Sequence, residues 1–208
     1  MVMYVAVGAE FAVNSTYARS QGQADSAELE NGNSVVVWRD IQVGTTANQF
    51  LRAQILGPDG SPVGPELTLL AGSAVEPAVT ALPGGGFMVT WDATFGIKAQ
   101  LFDASGAAMG PAFDVVSQPL SSSQDRPDVA AFEDGSFAVV WHDSRTAGGD
   151  ISGTGVWLGA YRADGSLITE TRVNVATAGN QADASIATLP DGGYIVTWTD
   201  RGAPGSGS

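Results

Sequence analysis

The stretch Pro127-DVAAFEDGSFAVV-Trp141 decides how this chain folds. A run of small and apolar residues leads into Glu133-Asp134-Gly135-Ser136, and a second run, Phe137-Ala-Val-Val-Trp141, leads out of it. Gly135 supplies the positive φ that a tight hairpin turn requires, and Asp134 before it tolerates the left-handed region. Both flanking runs have the small and β-branched composition of strands. The segment reads as a β-hairpin that ends in tryptophan.

Three more segments superimpose on it without gaps once their tryptophans are aligned: Ala24-DSAELENGNSVVV-Trp38, Pro77-AVTALPGGGFMVT-Trp91 and Ala184-SIATLPDGGYIVT-Trp198. The turn glycine recurs as Gly32, Gly85 and Gly192. Downstream of three of the tryptophans a second hairpin follows, with its turn at Gly60, Gly106 or Gly165 behind Asp or Ser. The unit is therefore four short antiparallel strands. From Trp38 to Trp91, Trp141 and Trp198 the spacings are 53, 50 and 57 residues, and the differences fall in loops.

A four-stranded antiparallel sheet repeated about every 50 residues is the signature of a β-propeller blade. The strand before each tryptophan is apolar on both sides, as in Val35-Val36-Val37 and Ala138-Val139-Val140, which suits sheets stacked face to face. The expectation is an all-β, four-bladed β-propeller with blades near 24–70, 77–116 and 127–176, the last made from 184–200 plus 1–14. Gly8-Ala-Glu-Phe11 aligns with Gly64-Pro-Glu-Leu67 and Gly110-Pro-Ala-Phe113. The N-terminal strand is thus expected to pair with the C-terminal strands and close the ring, removing exposed edges. Residues 1–200 form one domain, and 201–208 form a flexible Gly/Ser/Pro tail.

Composition agrees. With 27 Gly and 10 Pro in 208 residues the chain is no helical bundle, and with 44% apolar residues it is not disordered. Nine basic against 22 acidic side chains give a net charge of −13, and Lys98 is the sole lysine, which excludes nucleic acid as a partner. The absence of cysteine removes disulfides, thiolate metal sites and thiol nucleophiles. The N-terminus lacks the basic start of a signal peptide, and no apolar run is long enough for a transmembrane helix, so no membrane insertion is expected.

Aspartate recurs two residues past tryptophan as Asp40, Asp143 and Asp200, with Asp92 one residue past Trp91. Carboxylates leaving strands at one rim suit a hard cation such as calcium, while Asp at a strand exit equally caps its own turn. The loop from Asp143 to Gly155, with Asp150 inside it, mixes carboxylates, hydroxyls and glycines. It has the oxygens to wrap calcium, it places Trp157 as a stacking platform for a sugar, and it also fits a plain surface insertion. The candidate metal ligands are Asp40, Asp143, Asp150 and Asp200, and the candidate ligand-binding aromatic is Trp157. His142, Asp143 and Ser144 make no hydrolase triad, because adjacent strand residues point to opposite faces. The repeated tryptophans are read as packing between blades.

The segments Gly8-AEFAVN-Ser15, Pro77 to Trp91, Ala99-QLFDAS-Gly106 and Pro127 to Trp141 resemble a repeat of large bacterial RTX-type, hemolysin-type calcium-binding or surface-adhesion proteins. The resemblance implies export by type I secretion as part of a longer chain, and a place outside the cell or on its surface. The chain carries no Gly-Gly-x-Gly-x-Asp nonapeptide, so calcium would sit at the rim loops instead. The function expected is a non-catalytic binding or adhesion module, calcium-stabilised, with a glycan or cell-surface ligand, acting as a monomer or as a homodimer through the short closing blade. Two alternatives stay open: a lectin-like carbohydrate-binding propeller, and a propeller glycoside hydrolase or other hydrolase with Asp143 and Asp150 as candidate acids. No catalytic constellation stands out, so the expectation is that the chain is not an enzyme.

Overall fold

The computed structural model describes residues 10–15, 20–41, 49–94, 96–116, 123–144 and 153–202. Every regular element among them is a strand. The first blade is β1 (Ser20–Glu28), β2 (Ser34–Ile41), β3 (Gln49–Leu56) and β4 (Leu67–Ala71), hydrogen-bonded in that order. The second is β5 (Val75–Ala81), β6 (Phe87–Ala93), β7 (Gly96–Phe102) and β8 (Phe113–Asp114). The third is β9 (Gln124–Ala131), β10 (Phe137–Asp143), β11 (Gly155–Tyr161) and β12 (Leu167–Arg172), and β13 (Gln181–Thr188) with β14 (Tyr194–Asp200) make the fourth sheet. The chain is the four-bladed all-β propeller that its repeats specify, and both hairpins of the repeat form where the turn glycines lie.

The turns work as their residues require. In the second-hairpin turn of the second blade, Gly106 has φ +84°, and an added Cβ would overlap the Leu67 side chain of the preceding blade. Asp103 completes that turn by accepting from the Ser105 backbone N–H (2.8 Å) and hydroxyl (2.6 Å). A short polar residue and a left-handed glycine together satisfy a turn with no help from the core.

Successive blades are joined by apolar clusters. Val35, Val37, Leu51 and Ile55 of the first blade pack on Phe87, Val89 and Trp91 of the second. Met88, Ile97 and Ala99 of the second pack on Phe137, Val139, Trp141 and Trp157 of the third. Val140, Val156 and Leu158 of the third receive Ala184 and Ile186 of the fourth. Trp91 and Trp141, at the ends of their second strands, thus face the preceding blade, and burying one removes enough apolar surface to contribute about 4–6 kcal/mol. The inner strands β1, β5, β9 and β13 lie side by side in sequence order.

The closing blade is thinner than its alignment implies. Among the described residues β14 pairs with β13 alone, and residues 10–14 form no strand. Phe11 nevertheless takes its repeat position: its ring lies 3.3 Å from where a Gly60 Cβ would be, as Leu67 lies against Gly106 and Phe113 against Gly165. Residues 1–9 lie outside the described residues.

Candidate active site

Each inner strand carries the same irregularity. On β1, Gly22 opposes Arg39 and Asp25 opposes Val37, which leaves Gln23 and Ala24 together facing Trp38. The register slips in the same way at Glu76-Pro77 on β5, Arg126-Pro127 on β9 and Asp183-Ala184 on β13, each opposite its blade's tryptophan. These are β-bulges, which bend a strand and re-aim a side chain. Proline fits the second bulge position because no ladder hydrogen bond is asked of it there.

The first residue of every bulge is left-handed and none is glycine: Gln23, Glu76, Arg126 and Asp183 have φ of 54°, 52°, 51° and 54°. A non-glycine residue held there costs of order 1–3 kcal/mol, and such strain collects at functional sites. The side chains reach from blade to blade. The Glu76 backbone N–H donates to Gln23 Oε1 (3.1 Å), and the Arg126 backbone N–H donates to Glu76 Oε2 (3.0 Å). Arg126 Nε lies 3.3 Å from Glu76 Oε1, its Nη1 pairs with Asp183, and Asp183 Oδ2 accepts from Arg201 Nη2 at 3.0 Å. Burial acts to raise the Asp183 carboxyl, but Arg126, Arg201 and His142 outweigh it and hold it below its ordinary range. Desolvation opposes the Arg126 charge, yet Glu76 and Asp183 outweigh it and raise its pKa.

Two residues at the ends of second strands complete the cluster. His142 is buried, and its Nε2 accepts the Ala184 backbone N–H of the next blade (3.2 Å), while Nδ1 lies 3.4 Å from Asp125 Oδ1. Asp92, half-buried, has its pKa pushed up from 3.8 to about 7, first by burial and then by the charges of Glu76 and Asp125. The site therefore sets one acid that holds its proton near neutrality in a cluster with three further carboxyl groups, two arginines and a histidine.

The aspartates singled out by their spacing have other work. Asp40, Asp143 and Asp200 stand opposite Gln21, Gln124 and Gln181 in the ladders. Gln181 Nε2 donates to Asp200 Oδ1 at 3.1 Å and Gln124 Nε2 lies 3.5 Å from Asp143 Oδ1. Trp141 Nε1 donates to Asp143 Oδ2 (3.3 Å), and Arg52 Nε lies 3.2 Å from Asp40 Oδ2. Asp200 also caps its own turn through the Gly202 N–H, and that bond, then Gln181, lowers its pKa. In the second blade the matching positions are Ala74 and Ala93, so glutamine and aspartate are lost together. Among the described residues no three His, Asp or Glu side chains are grouped to hold a metal ion. Asp150 lies outside the described residues. Trp157 is 9% exposed, within the cluster between the second and third blades, and stands opposite Trp141 in the ladder.

Glu76, Asp125, Arg126 and Asp183 were not among the sequence candidates. A signal for them exists: within a frame that repeats closely, the bulge position reads Gln, Glu, Arg, Asp, while Asp92 aligns with Arg39, His142 and Thr199. Away from this cluster, at the opposite ends of the inner strands, a groove of about 620 Å³ runs between the hairpin turns of the third and fourth blades. It is lined by Phe132, Glu133, Asp134, Leu189, Pro190 and Tyr194. The Ser136 hydroxyl and backbone N–H hold the Asp134 carboxyl in it below its ordinary range.

No protein-family model matches the chain, and no curated protein matches it. Solved structures do. An endo-arabinase from Bacteroides thetaiotaomicron is 14% identical over 95% of this chain and 76% of its own, with a TM-score of 0.56. An exo-1,5-alpha-L-arabinanase from a bovine ruminal metagenomic library is 11% identical over 86% of this chain and 74% of its own, with a TM-score of 0.53. At such identities the likeness is one of fold.

These findings correct the expectation of an RTX-type, hemolysin-type calcium-binding protein. The neighbours are arabinan-degrading enzymes by name, and nothing found points to RTX proteins. The reading as a non-catalytic adhesion module, with its secreted and calcium-binding labels, falls with that resemblance, and so does the expectation that the chain is not an enzyme. The physical reason is that a tryptophan-ended hairpin specifies a blade, and blades of one geometry serve many functions.

Proposed function

We propose that the chain is a glycoside hydrolase whose reacting groups lie in the bulge cluster, with Asp92 as general acid and Asp125 as the partner carboxylate. The observation that carries the reading is the Asp92 carboxyl, raised to about 7 beside Glu76 and Asp125. Hydrolysis of a glycosidic bond needs one carboxylic acid to protonate the leaving oxygen and one carboxylate to attack or to activate water. Environments that push neighbouring carboxyl groups apart in pKa divide those roles. Both Glu76 oxygens are engaged by Arg126, whereas the Asp125 side chain is 42% exposed and faces the site. Glu76 then serves by sustaining the field that keeps Asp92 protonated.

The names of the two arabinan-degrading neighbours make arabinans the first substrates to try. The test is release of reducing sugar from arabinan, xylan and a panel of aryl glycosides by the purified chain and by Asp92→Asn and Asp125→Asn variants of unchanged circular dichroism. Hydrolysis by the parent is expected, with each variant slower by about 10²- to 10⁴-fold. A blank panel for the parent, or full rates in Asp92→Asn, overturns the reading.

A further inference from the structure

The one histidine of the chain is buried beside this cluster and has no part in the chemistry just described. Its two ring nitrogens face different blades. Nε2 accepts the backbone N–H of Ala184, the second residue of the β13 bulge, at 3.2 Å. A ring nitrogen that accepts a hydrogen bond carries no proton, so in the neutral ring the proton sits on Nδ1. Nδ1 lies 3.4 Å from Asp125 Oδ1 and directly opposite it in the ladder. That separation is long for a hydrogen bond and in the range of unliganded sites, where such contacts tighten with substrate.

We propose that His142 is the positioning residue of Asp125. Held by the fourth blade through Nε2, it presents an Nδ1–H that fixes one Asp125 oxygen and leaves the other to face the ligand. The role given to Asp125 rests on the hydrolase reading; the geometry of the pair does not. The fourth blade thereby becomes part of the site, because the Ala184 amide sets which nitrogen of His142 donates. The charged groups around the ring are Asp125 and Arg126 from β9 and Asp183 from β13, with Arg201 paired to Asp183 beyond it. Asp128 reinforces the same junction, its Oδ2 accepting the Ile186 backbone N–H (2.9 Å) and the Ser185 hydroxyl (2.8 Å).

A single histidine makes the test clean, since selective ¹⁵N-histidine labelling gives one pair of ring resonances. In the neutral ring, Nδ1 is expected as the protonated nitrogen and Nε2 as the bare one. At a single pH the Asp125 carboxyl ¹³C resonance is expected to move in His142→Phe, which removes the donor, and to return toward its parent position in His142→Asn, whose amide donates again. Where the parent hydrolyses a substrate, His142→Phe is expected to lower kcat by about ten- to hundredfold with little change in KM. An Nε2-protonated ring, or an Asp125 carboxyl resonance unmoved in a folded His142→Phe variant, overturns the proposal whether or not any substrate is found. A parent with no hydrolysis but the expected ring and carboxyl resonances overturns the hydrolase reading alone and supports the pair.

Discussion

Asp92 separates the proton content of the native and unfolded states. Unfolded, its carboxyl titrates near 3.8; folded, burial and then Glu76 and Asp125 take it to about 7. Between those values the native state keeps a proton that the unfolded state has released. The stabilisation from this group is therefore complete below about pH 4 and is lost as pH rises through about 7. Unscreened, the difference amounts to about 4 kcal/mol, and solvent screening at a half-buried group cuts it to about 1–2 kcal/mol. Asp92→Asn is expected to flatten the stability curve between about pH 4 and about 7, and to unfold at higher urea than the parent at the upper end. Parallel curves for the two proteins would sink this assignment. The turn residues Asp59, Asp103, Asp134 and Asp164 act with the opposite sign. Serine hydroxyls two residues on hold their carboxyls below 3.8, so their contribution is present above about pH 4 and lost as pH falls further.

At the scale of elements, the four equivalent tryptophans give an internal comparison. Trp91 and Trp141 are 1% and 0% exposed, while Trp198, on the two-stranded sheet, is 38% exposed. Trp141→Ala is expected to cost about 3–5 kcal/mol, as large buried aromatics do, and Trp198→Ala about 1 kcal/mol. Equal losses in chemical denaturation would mean that the fourth blade is as tightly packed as the third. The hairpins behind these tryptophans were legible in the sequence because their causes are local: a glycine at a left-handed turn, an Asx residue before it and apolar runs on either side. The bulges were not. A left-handed Glu76 or Arg126 follows from the pull of the next blade's backbone and side chains, and nothing in Glu76-Pro77 alone announces it. For the same reason the spacing singled out Asp40, Asp143 and Asp200, whose partners lie on their own ladders, while the raised carboxyl of Asp92 depends first on burial, then on Glu76 of its own blade and Asp125 of the next.

In the molecule as a whole, stability is shared unevenly among the blades. The third blade meets a neighbour on both faces, and its second strand is sealed: every residue of β10 is buried. The fourth sheet meets the third through Ala184, Ile186 and Val196, and on β14 Tyr194 and Ile195 remain 46% and 51% exposed. In a stack of repeats stability is close to a sum of nearest-neighbour terms, so a sheet with one described neighbour opens first. Amide hydrogen exchange is expected to proceed in the order β14 and β13, then β12, with β6 and β10 exchanging only on global unfolding. Ala184 on β13 is the informative exception, because its N–H is spent on His142 rather than on the ladder. If the fourth sheet detaches as a unit, Ala184 exchanges at the rate of its neighbours Ala182 and Ile186, and His142→Phe speeds all three together. If instead Ala184 is protected as long as β10 is, the histidine contact outlasts the sheet, and the fourth blade is anchored at its bulge rather than along its apolar face.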